Sequence, residues 1–472
     1  MKVVLSTPPG QTTERWPPLG LLYVASSCLK RRSGLDHIKI IDAFCENLTE
    51  SELVERIERE KPDVLGMNCS THTFLDTIST LRTVNEAMPN TKSVLGGIHA
   101  TFTSERILRD YPFVDYVVVG EAEESFPRLL DRIDRGSPPS DVPGIGFMLN
   151  GEPTVNPDSL VEDLDSLPFP DRSLLPEIDY GYTHENIRLT YGKFTTISSS
   201  RGCPFRCSYC SCAMFSKRIW RPRSPENVVD ELERIYCDGY ECCVFVDDNL
   251  TLNRGRMERI CDLIRERKIK MQFYCEGRVD NTPYSLMTRM KQAGFNVIYF
   301  GVESAQKHVL NYYRKMISVA DSKRAIDDAK RAGMIVVTSY IMGAPVETKD
   351  DMDRTIDLIR AMRAHGVQIN ILDCLVGTDI WNDLERDGVV GPDDWKTNHR
   401  IYEYSDNGIT RADLETAVNR GYRAYLDAWK SMAGVRELVK TVVANKTART
   451  VVTRNLLNPS VRKRISDGRR FK

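Results

Sequence analysis

Short apolar runs alternate with amphipathic stretches along most of this chain, and this alternation constrains the fold more than any other feature. The apolar runs at 3–5, 38–42 and 64–68 are each followed by a helical pattern, and two later runs end at Gly96-Gly97 and Gly120-Glu121. Such alternation predicts βαβ units around a parallel sheet. Polar and glycine-bearing turns follow the runs, at the strand ends where open α/β sheets bind ligands. The first part of the chain is therefore predicted to be a Rossmann-like domain.

The same alternation resumes near Phe194, after a stretch with little regular pattern. Six repeats predict a partial (β/α)6 barrel, with strands at 195–198, 243–247, 272–275, 297–301, 335–341 and 368–375. From Pro392 the alternation is lost, and a helix is predicted at 413–432. We predict an α/β protein with a Rossmann-like domain (1–145), a linker (146–190), a partial barrel (191–385) and a mostly helical C-terminal region (386–472).

Composition narrows the function classes. The formal net charge of −1 gives no argument for nucleic acid as a partner. No apolar run approaches the roughly 20 residues that a membrane-spanning helix needs, and the N-terminus lacks the pattern of a signal peptide. We therefore expect a cytoplasmic protein without a transmembrane segment. The last 40 residues hold eleven Lys or Arg against two acids, which predicts a solvated tail or a contact with an acidic partner or membrane surface.

Cysteines carry the strongest chemical signal. The chain has 13 of them, and reduced cytosolic thiols point to metal rather than to disulfides. Cys203, Cys207 and Cys210 are spaced C-x-x-x-C-x-x-C. A zinc site would need a fourth ligand, for which Cys212 is poorly placed. Three thiolates on one loop suit an iron–sulfur cubane with one open iron better, although zinc stays an alternative.

The motif Cys203-Pro-Phe-Arg-Cys207-Ser-Tyr-Cys210 closely resembles the signature of radical S-adenosylmethionine (SAM) enzymes. The resemblance implies a [4Fe–4S] cluster on these cysteines, SAM on the open iron, and a 5′-deoxyadenosyl radical that abstracts hydrogen. It also implies a low-potential electron donor of the ferredoxin or flavodoxin type. The residues that resemble the family's SAM-binding positions are Tyr209, Asp247, Asp248, Asn249, Glu276, Arg278, Glu303, Ser304 and Gly343. Asp247-Asp248-Asn249 departs from the Gly-Gly-Glu that many members have there.

The first domain resembles the cobalamin-binding domain that is fused to many radical SAM enzymes, and the combined resemblance covers residues 1 to about 380. Gly96 and Gly97 would let the backbone approach a flat macrocycle. The D-x-H-x-x-G motif, which supplies a histidine to cobalt in many cobalamin proteins, is absent, and His72 and His99 are the nearby histidines. The residues that we predict to bind cobalamin are Thr7, Pro8, Ser70, Thr71, His72, Gly96, Gly97, His99, Gly120 and Glu121. A structural domain without cobalamin is the alternative.

These resemblances imply a cobalamin-dependent radical SAM C-methyltransferase that methylates an unactivated carbon. The substrate is open, and a peptidyl residue of a protein is one candidate. One alternative is a non-methylating member that performs ring formation, C–C coupling or oxidation of a lipid or tetrapyrrole. Another is a non-catalytic cobalamin or iron–sulfur sensor, whose expected mark, a damaged cysteine triplet, is not seen.

Overall fold

The computed structural model describes residues 1–12, 14–31, 35, 37–184, 187–445 and 447–450. The chain divides into two compact units that do not follow its linear order. Unit 1 contains Met1–Tyr180, Met214–Lys217 and Leu375–Asn398, and unit 2 contains the rest of the described chain. The domain boundaries given above remain predictions. Most of the basic tail, residues 451–472, lies outside the described residues.

Unit 1 is built on a seven-stranded sheet with the order β2-β1-β3-β4-β5-β6-β7, in which the first five strands are parallel. Its strands β1 to β7 are Lys2–Ser6, His37–Ile41, Val64–Asn68, Lys92–Gly96, Tyr116–Val118, Ile145–Leu149 and Glu152–Val155. Its helices α1 to α6 are Leu19–Arg31, Ala43–Glu46, Glu50–Glu60, Phe74–Ala87, Ile98–Asp110 and Ser125–Asp134. The predicted strand-helix alternation of the first domain is confirmed.

Two antiparallel strands of unit 1 were not predicted from the sequence. β6 pairs with β5, and β7 pairs with β6. The turn between them is Asn150-Gly151, and both residues have positive φ values, 52° and 86°. An Asn-Gly pair at such a two-residue turn is a strong hairpin signal, so this hairpin was recognisable in the sequence.

Unit 2 contains six parallel strands, β10-β13-β14-β15-β16-β17, in chain order across the sheet. The strands of the remaining chain, β8 to β19, are Thr183–His184, Ile187–Arg188, Phe194–Ile197, Ser200–Arg201, Arg221–Pro222, Cys242–Phe245, Gln272–Gly277, Phe295–Glu303, Ile335–Met342, Gly366–Ile371, Asp373–Cys374 and His399–Arg400. The helices α7 to α16 are Ser211–Phe215, Pro225–Cys237, Arg254–Glu266, Tyr284–Gln292, Lys307–Tyr312, Val319–Arg331, Lys349–Met362, Asp379–Arg386, Arg411–Lys430 and Met432–Ala444. All six predicted barrel strands are present, and the predicted C-terminal helix corresponds to α15.

Side-chain alternation separates two faces of the barrel strands. Cys275, Phe300 and Tyr340 belong to the apolar core between strands and helices. Their neighbours along the strands, such as Glu276, Tyr299 and Ser339, therefore point to the opposite, concave face. Polar side chains therefore occur on that face, together with apolar ones such as Val337 and Ile341.

The polypeptide after the barrel divides between the two units. Within unit 1, α14 and the residues up to Asn398 pack on α5, where Lys396 pairs with Asp110 at 3.2 Å. In unit 2, α15 begins at a capping box between Thr410 and Asp413. Among the described residues, no helix combines the length and the apolarity needed to cross a membrane.

Candidate functional site

The three motif cysteines lie on one loop of unit 2, between β11 and α7. Gly202 opens this loop with a φ of 84°, a value that favours glycine. Its backbone N–H donates to Asp248 Oδ2 at 2.9 Å. Because Asp248 follows β13, this hydrogen bond joins the cysteine loop to the end of the adjacent barrel strand.

The three thiols of this loop are placed as ligands of one cubane cluster could be. Cys203, Cys207 and Cys210 are free and partly exposed, and the Cys210 N–H donates to the Cys207 carbonyl at 3.2 Å. Within the described part of the chain, no three His, Cys, Asp or Glu side chains converge as ligands of one metal ion would. The thiols are close neighbours, because besides burial the charges of Cys210 and Cys207 act to raise the pKa of Cys203. The residues present therefore fit a [4Fe–4S] cluster.

Positive charge lies beside these thiols. Burial raises the pKa of the Cys207 thiol, and the nearby Lys315 and Arg278 act to lower it. Arg278 lies over the Phe205 ring at 3.6 Å and donates to both Asp280 oxygens at 3.0 Å. Cationic side chains favour the thiolate form that a cluster needs.

Tyr209 and Glu303, two predicted SAM-binding residues, are in direct contact. The Tyr209 hydroxyl donates to Glu303 Oε1 at 3.0 Å. Glu303 ends β15 at a register shift and has a φ of 65°, rare for a residue with a side chain. The buried Lys315 ammonium donates to the same Glu303 oxygen at 2.7 Å. The sequence analysis missed Lys315, which belongs to no motif.

Other predicted SAM-binding residues support the backbone around this loop. Asp247 is buried and accepts from the Ser199 N–H at 2.7 Å, and Gly343 donates its N–H to Glu347 at 2.6 Å. Ser304 Oγ accepts from the Gln306 N–H at 3.1 Å. These three residues hold strand ends and turns, and a direct role of each toward SAM stays a prediction.

Two further predicted SAM-binding residues, Asn249 and Glu276, have polar atoms that a ligand could reach. Asn249 is buried, and its Nδ2 has no hydrogen-bond partner among the described residues. Glu276 lies on the concave face, in register with Tyr299. Both therefore have polar atoms available to a ligand.

In unit 1, the predicted cobalamin residues lie at the carboxyl edge of the sheet. Thr7 follows β1 and donates to the buried Asp42 carboxylate at 2.9 Å, and the Tyr180 hydroxyl donates to the other Asp42 oxygen at 2.9 Å. Pro8 follows Thr7. Gly120 donates to Thr101 Oγ1 at 3.0 Å, and Glu121 accepts from the Val161 N–H at 2.7 Å. Glu121 therefore holds the segment after β7.

The loops after β3 and β4 are joined closely. Ser70 precedes a single 3-10 turn, Thr71–Thr73, and the Cys69 N–H donates to the Gly96 carbonyl at 2.9 Å. A Cβ on Gly97, which has a φ of 97°, would lie 2.5 Å from the Cys69 carbonyl oxygen. Only glycine fits at Gly97 without displacing this loop.

His99 is buried in this loop region, whereas His72 is exposed. The His99 Nδ1 lies 3.1 Å from Thr71 Oγ1, and its Nε2 has no partner in the described structure. Its ring contacts Phe74 at 4.3 Å and stacks on Trp395 at 6.0 Å between centroids. Burial lowers the pKa of His99 to about 3, so the ring is neutral at physiological pH.

This edge has features that fit a corrinoid. The buried Asn68 Oδ1 and His99 Nε2 both lack partners among the described residues, and a corrin ring carries amide side arms that could pair with such atoms. Trp395 comes from the segment after the barrel and belongs to none of the motifs that the sequence showed. It is 2% exposed and helps to form the wall behind His99.

The strand ends of unit 2 carry the cysteine loop, and the strand ends of unit 1 carry two loops that meet at Gly97. Together these features define a class of protein: a radical SAM enzyme with a cobalamin-binding domain. Two family models match the chain accordingly. The Radical SAM superfamily matches residues 197–359, and the B12 binding domain matches residues 10–130. The cofactors of these families are a [4Fe–4S] cluster, SAM and cobalamin.

Similar proteins agree with this class. An uncharacterized methyltransferase of Pyrococcus horikoshii is 31% identical over 389 residues, which cover 81% of this chain and 82% of that protein. An anaerobic magnesium-protoporphyrin IX monomethyl ester cyclase of Rubrivivax gelatinosus is 29% identical over 73% of this chain and 62% of its own length. The chain belongs to the cobalamin-dependent radical SAM methyltransferase family.

A solved structure shows the same fold. It is the radical SAM methyltransferase TsrM of Kitasatospora setae, with cobalamin and a [4Fe–4S] cluster bound. The TM-score is 0.71 at 16% identity, over 90% of each chain. The predicted fold class is thereby confirmed for both the Rossmann-like domain and the barrel.

Proposed function

We propose that this protein is a C-methyltransferase that adds a methyl group to an unactivated carbon of its substrate. The observation that carries the proposal is the cysteine loop beside Tyr209 and Glu303 in unit 2, together with a glycine-lined cobalamin edge in unit 1. When bound, the cofactors supply a hydrogen-abstracting adenosyl radical and a transferable methyl group. Electrons would come from a ferredoxin- or flavodoxin-type donor in the cytoplasm.

The residues of the site have distinct proposed roles. Cys203, Cys207 and Cys210 hold the cluster and leave one iron for SAM. Tyr209 and Glu303 orient SAM from the adjacent strand end. In unit 1, Gly97 gives cobalamin backbone access, and the neutral His99 offers Nε2 to a polar group of that ligand.

A polar substrate is supported by the concave face of the barrel. The Tyr299 hydroxyl donates to Gln368 Oε1 at 2.7 Å, and Gln368 Nε2 donates to Asn370 Oδ1 at 3.3 Å. The remaining N–H groups of these amides pair well with amide or hydroxyl groups. A peptidyl carbon of a protein is therefore the substrate that we propose over a hydrocarbon lipid.

Labelled SAM tests the function. Anaerobically reconstituted protein with cobalamin, a low-potential reductant and SAM carrying a labelled methyl group would be incubated with host-extract proteins and lipids. We expect 5′-deoxyadenosine and label in a carbon-bound methyl group of a protein. A Cys203→Ala/Cys207→Ala/Cys210→Ala variant is the control. Label in lipid alone would refute the protein substrate.

Ring formation is a second candidate, favoured by the similarity to the magnesium-protoporphyrin ester cyclase. In that case 5′-deoxyadenosine would form without any labelled methyl group in a product. The same experiment therefore separates the two reactions. Absence of 5′-deoxyadenosine with an intact cluster would refute both and favour a sensor.

A further inference from the structure

Lys315 is a buried charge that the proposed function does not use. Its side chain is 12% exposed, and its Nζ lies 2.7 Å from Glu303 Oε1 and 3.3 Å from the Tyr209 hydroxyl. A buried ammonium is tolerated only where opposite charge and hydrogen bonds compensate its lost hydration. Lys315 meets this condition with the two residues predicted to hold SAM.

The short segment that carries Lys315, residues 312–315, also supports the cysteine loop; we call it the brace. The Ser208 N–H donates to the Tyr313 carbonyl at 3.0 Å, and Ser208 Oγ donates to the Tyr312 carbonyl at 2.9 Å. The Tyr209 and Tyr313 rings meet edge to face at 5.3 Å. With the Lys315–Tyr209 contact, four contacts therefore join the brace to the two residues between Cys207 and Cys210.

The brace also contacts Arg278, which directly follows β14. Arg278 Nη2 donates to the Lys315 carbonyl at 2.9 Å, so the backbone of Lys315 is held while its ammonium points to Glu303. Lys315 is therefore held at its carbonyl by Arg278 and at its ammonium by Glu303. Its ammonium also lies 3.3 Å from the hydroxyl of Tyr209, the residue directly before Cys210.

Occupation of one Glu303 oxygen leaves the other available. Oε1 accepts from both Lys315 and Tyr209, whereas the contact that Oε2 makes among the described residues is a long one, 3.4 Å from Ser339 Oγ. The register shift in β15 and the positive φ of Glu303 set the direction of this carboxylate. A carboxylate held by one oxygen presents the other to a hydroxyl or ammonium donor.

We propose that Lys315 is a positioning residue for SAM. It fixes Glu303 and Tyr209 side by side so that Glu303 Oε2 faces the hydroxyl or ammonium groups of the nucleotide, and it places one positive charge beside the cluster. The inference rests on the proposed function, since SAM is the ligand. A positive charge near an iron–sulfur centre stabilises its reduced, more negative form, so Lys315 also raises the cluster's reduction potential.

Lys315→Met, Lys315→Arg and a matched control, Lys291→Met, test the proposal. Lys291 is another partly buried lysine of unit 2, and it binds Asn296 Oδ1 at 2.5 Å. The full chain would be reconstituted anaerobically with cobalamin, and variants with equal iron content would be compared. The measurements are the dissociation constant for SAM by equilibrium dialysis and the cluster midpoint potential by EPR-monitored titration.

We expect Lys315→Met to weaken SAM binding by about tenfold or more, because a charge-assisted contact is lost. The midpoint potential should become more negative. Lys315→Arg should restore the potential and part of the affinity, and Lys291→Met should change neither. Unchanged SAM affinity and potential in Lys315→Met would overturn the proposal.

A double variant guards against misfolding. Lys315→Met leaves the Glu303 carboxylate buried without its cation, which can prevent folding, whereas Lys315→Met/Glu303→Gln removes both charges. If Lys315 acts through Glu303, the double variant should bind SAM no more weakly than Glu303→Gln alone. Additive losses would contradict the proposal.

The outcomes also separate this inference from the proposed function. A wild-type protein that holds no four-iron centre refutes both. A wild-type protein that binds SAM but labels no methylated product refutes only the methyl transfer. A wild-type protein with cluster and SAM, whose Lys315→Met variant behaves identically, refutes only the role of Lys315.

Discussion

The carboxyl ends of the parallel strands differ in their electrostatics between the two units. At the edge in unit 1, the neutral His99 is enclosed by Phe74 and Trp395. At the edge in unit 2, the Lys315 ammonium pairs with the buried Glu303 carboxylate. The comparison teaches that similar βα architecture can offer a neutral, aromatic-backed site for a macrocycle or an ionic site for a cluster and a charged nucleotide.

The largest expected effect is the loss of the cluster in unit 2 while cobalamin binding in unit 1 is kept. Replacement of Cys203, Cys207 and Cys210 by alanine should abolish the cluster and 5′-deoxyadenosine formation, because three irons lose their ligands. Cobalamin binding should persist, since no cobalamin residue of unit 1 is changed. Iron content, absorption spectra and cobalamin titration measure these outcomes. Cys237→Ala, which removes an exposed thiol, is the control, and a surviving four-iron centre in the triple variant would be contrary to the prediction.

Trp395→Ala tests the aromatic wall of unit 1. Loss of this buried indole should lower the free energy of unfolding by about 3–5 kcal/mol and weaken cobalamin binding, while SAM binding persists. Thermal unfolding and cobalamin titration are the measurements. Trp429→Ala removes an indole that donates to the Ala364 carbonyl in unit 2, and it should leave cobalamin affinity unchanged. Equal cobalamin affinity in wild type and Trp395→Ala would remove the proposed role of this wall.

Gly97→Ala tests the close backbone contact between Gly97 and Cys69 in unit 1. The new Cβ would lie 2.5 Å from the Cys69 carbonyl oxygen at a φ of 97°, so we expect a loss of about 1–3 kcal/mol and weaker cobalamin binding. Gly151→Ala has a similar φ of 86° but open space around the Cβ. It should therefore cost only the strain of a left-handed backbone, about 1 kcal/mol, and leave cobalamin affinity unchanged. Chemical denaturation of both variants gives the difference, and equal losses would show that the contact with Cys69 is unimportant.

The smallest effect concerns pH. Burial lowers the pKa of His99 in unit 1 and of His365 in unit 2, each to about 3. As pH falls below about 6.5, the unfolded chain gains protons that the folded protein does not. The free energy of unfolding should then fall by up to about 1.4 kcal/mol per pH unit for each histidine.

Denaturant titrations between pH 7 and 5.5 measure this slope. His99→Gln should reduce the slope for unit 1, and His365→Gln should reduce it for unit 2. A slope that neither substitution changes would mean that other groups control acid stability.

Much of the fold followed from local patterns. The strand-helix alternation predicted the parallel strands of both sheets because each apolar run reports burial of its own strand. The hairpin of β6 and β7 was missed, although Asn150-Gly151 marked its turn. The cysteine spacing predicted the cluster loop because three ligands within eight residues need no distant partner.

The contacts around these loops required the tertiary structure. Lys315 meets Tyr209 across 106 residues of sequence, and Trp395 reaches His99 only because the segment after the barrel packs within unit 1. By itself, the sequence determined the order of strands along the chain and the candidate ligands on one loop, since covalent spacing and hydrophobic period are local properties. Only the tertiary structure decided which charge faces Glu303 and which ring covers His99, because strand register and chain crossing set contacts between distant residues.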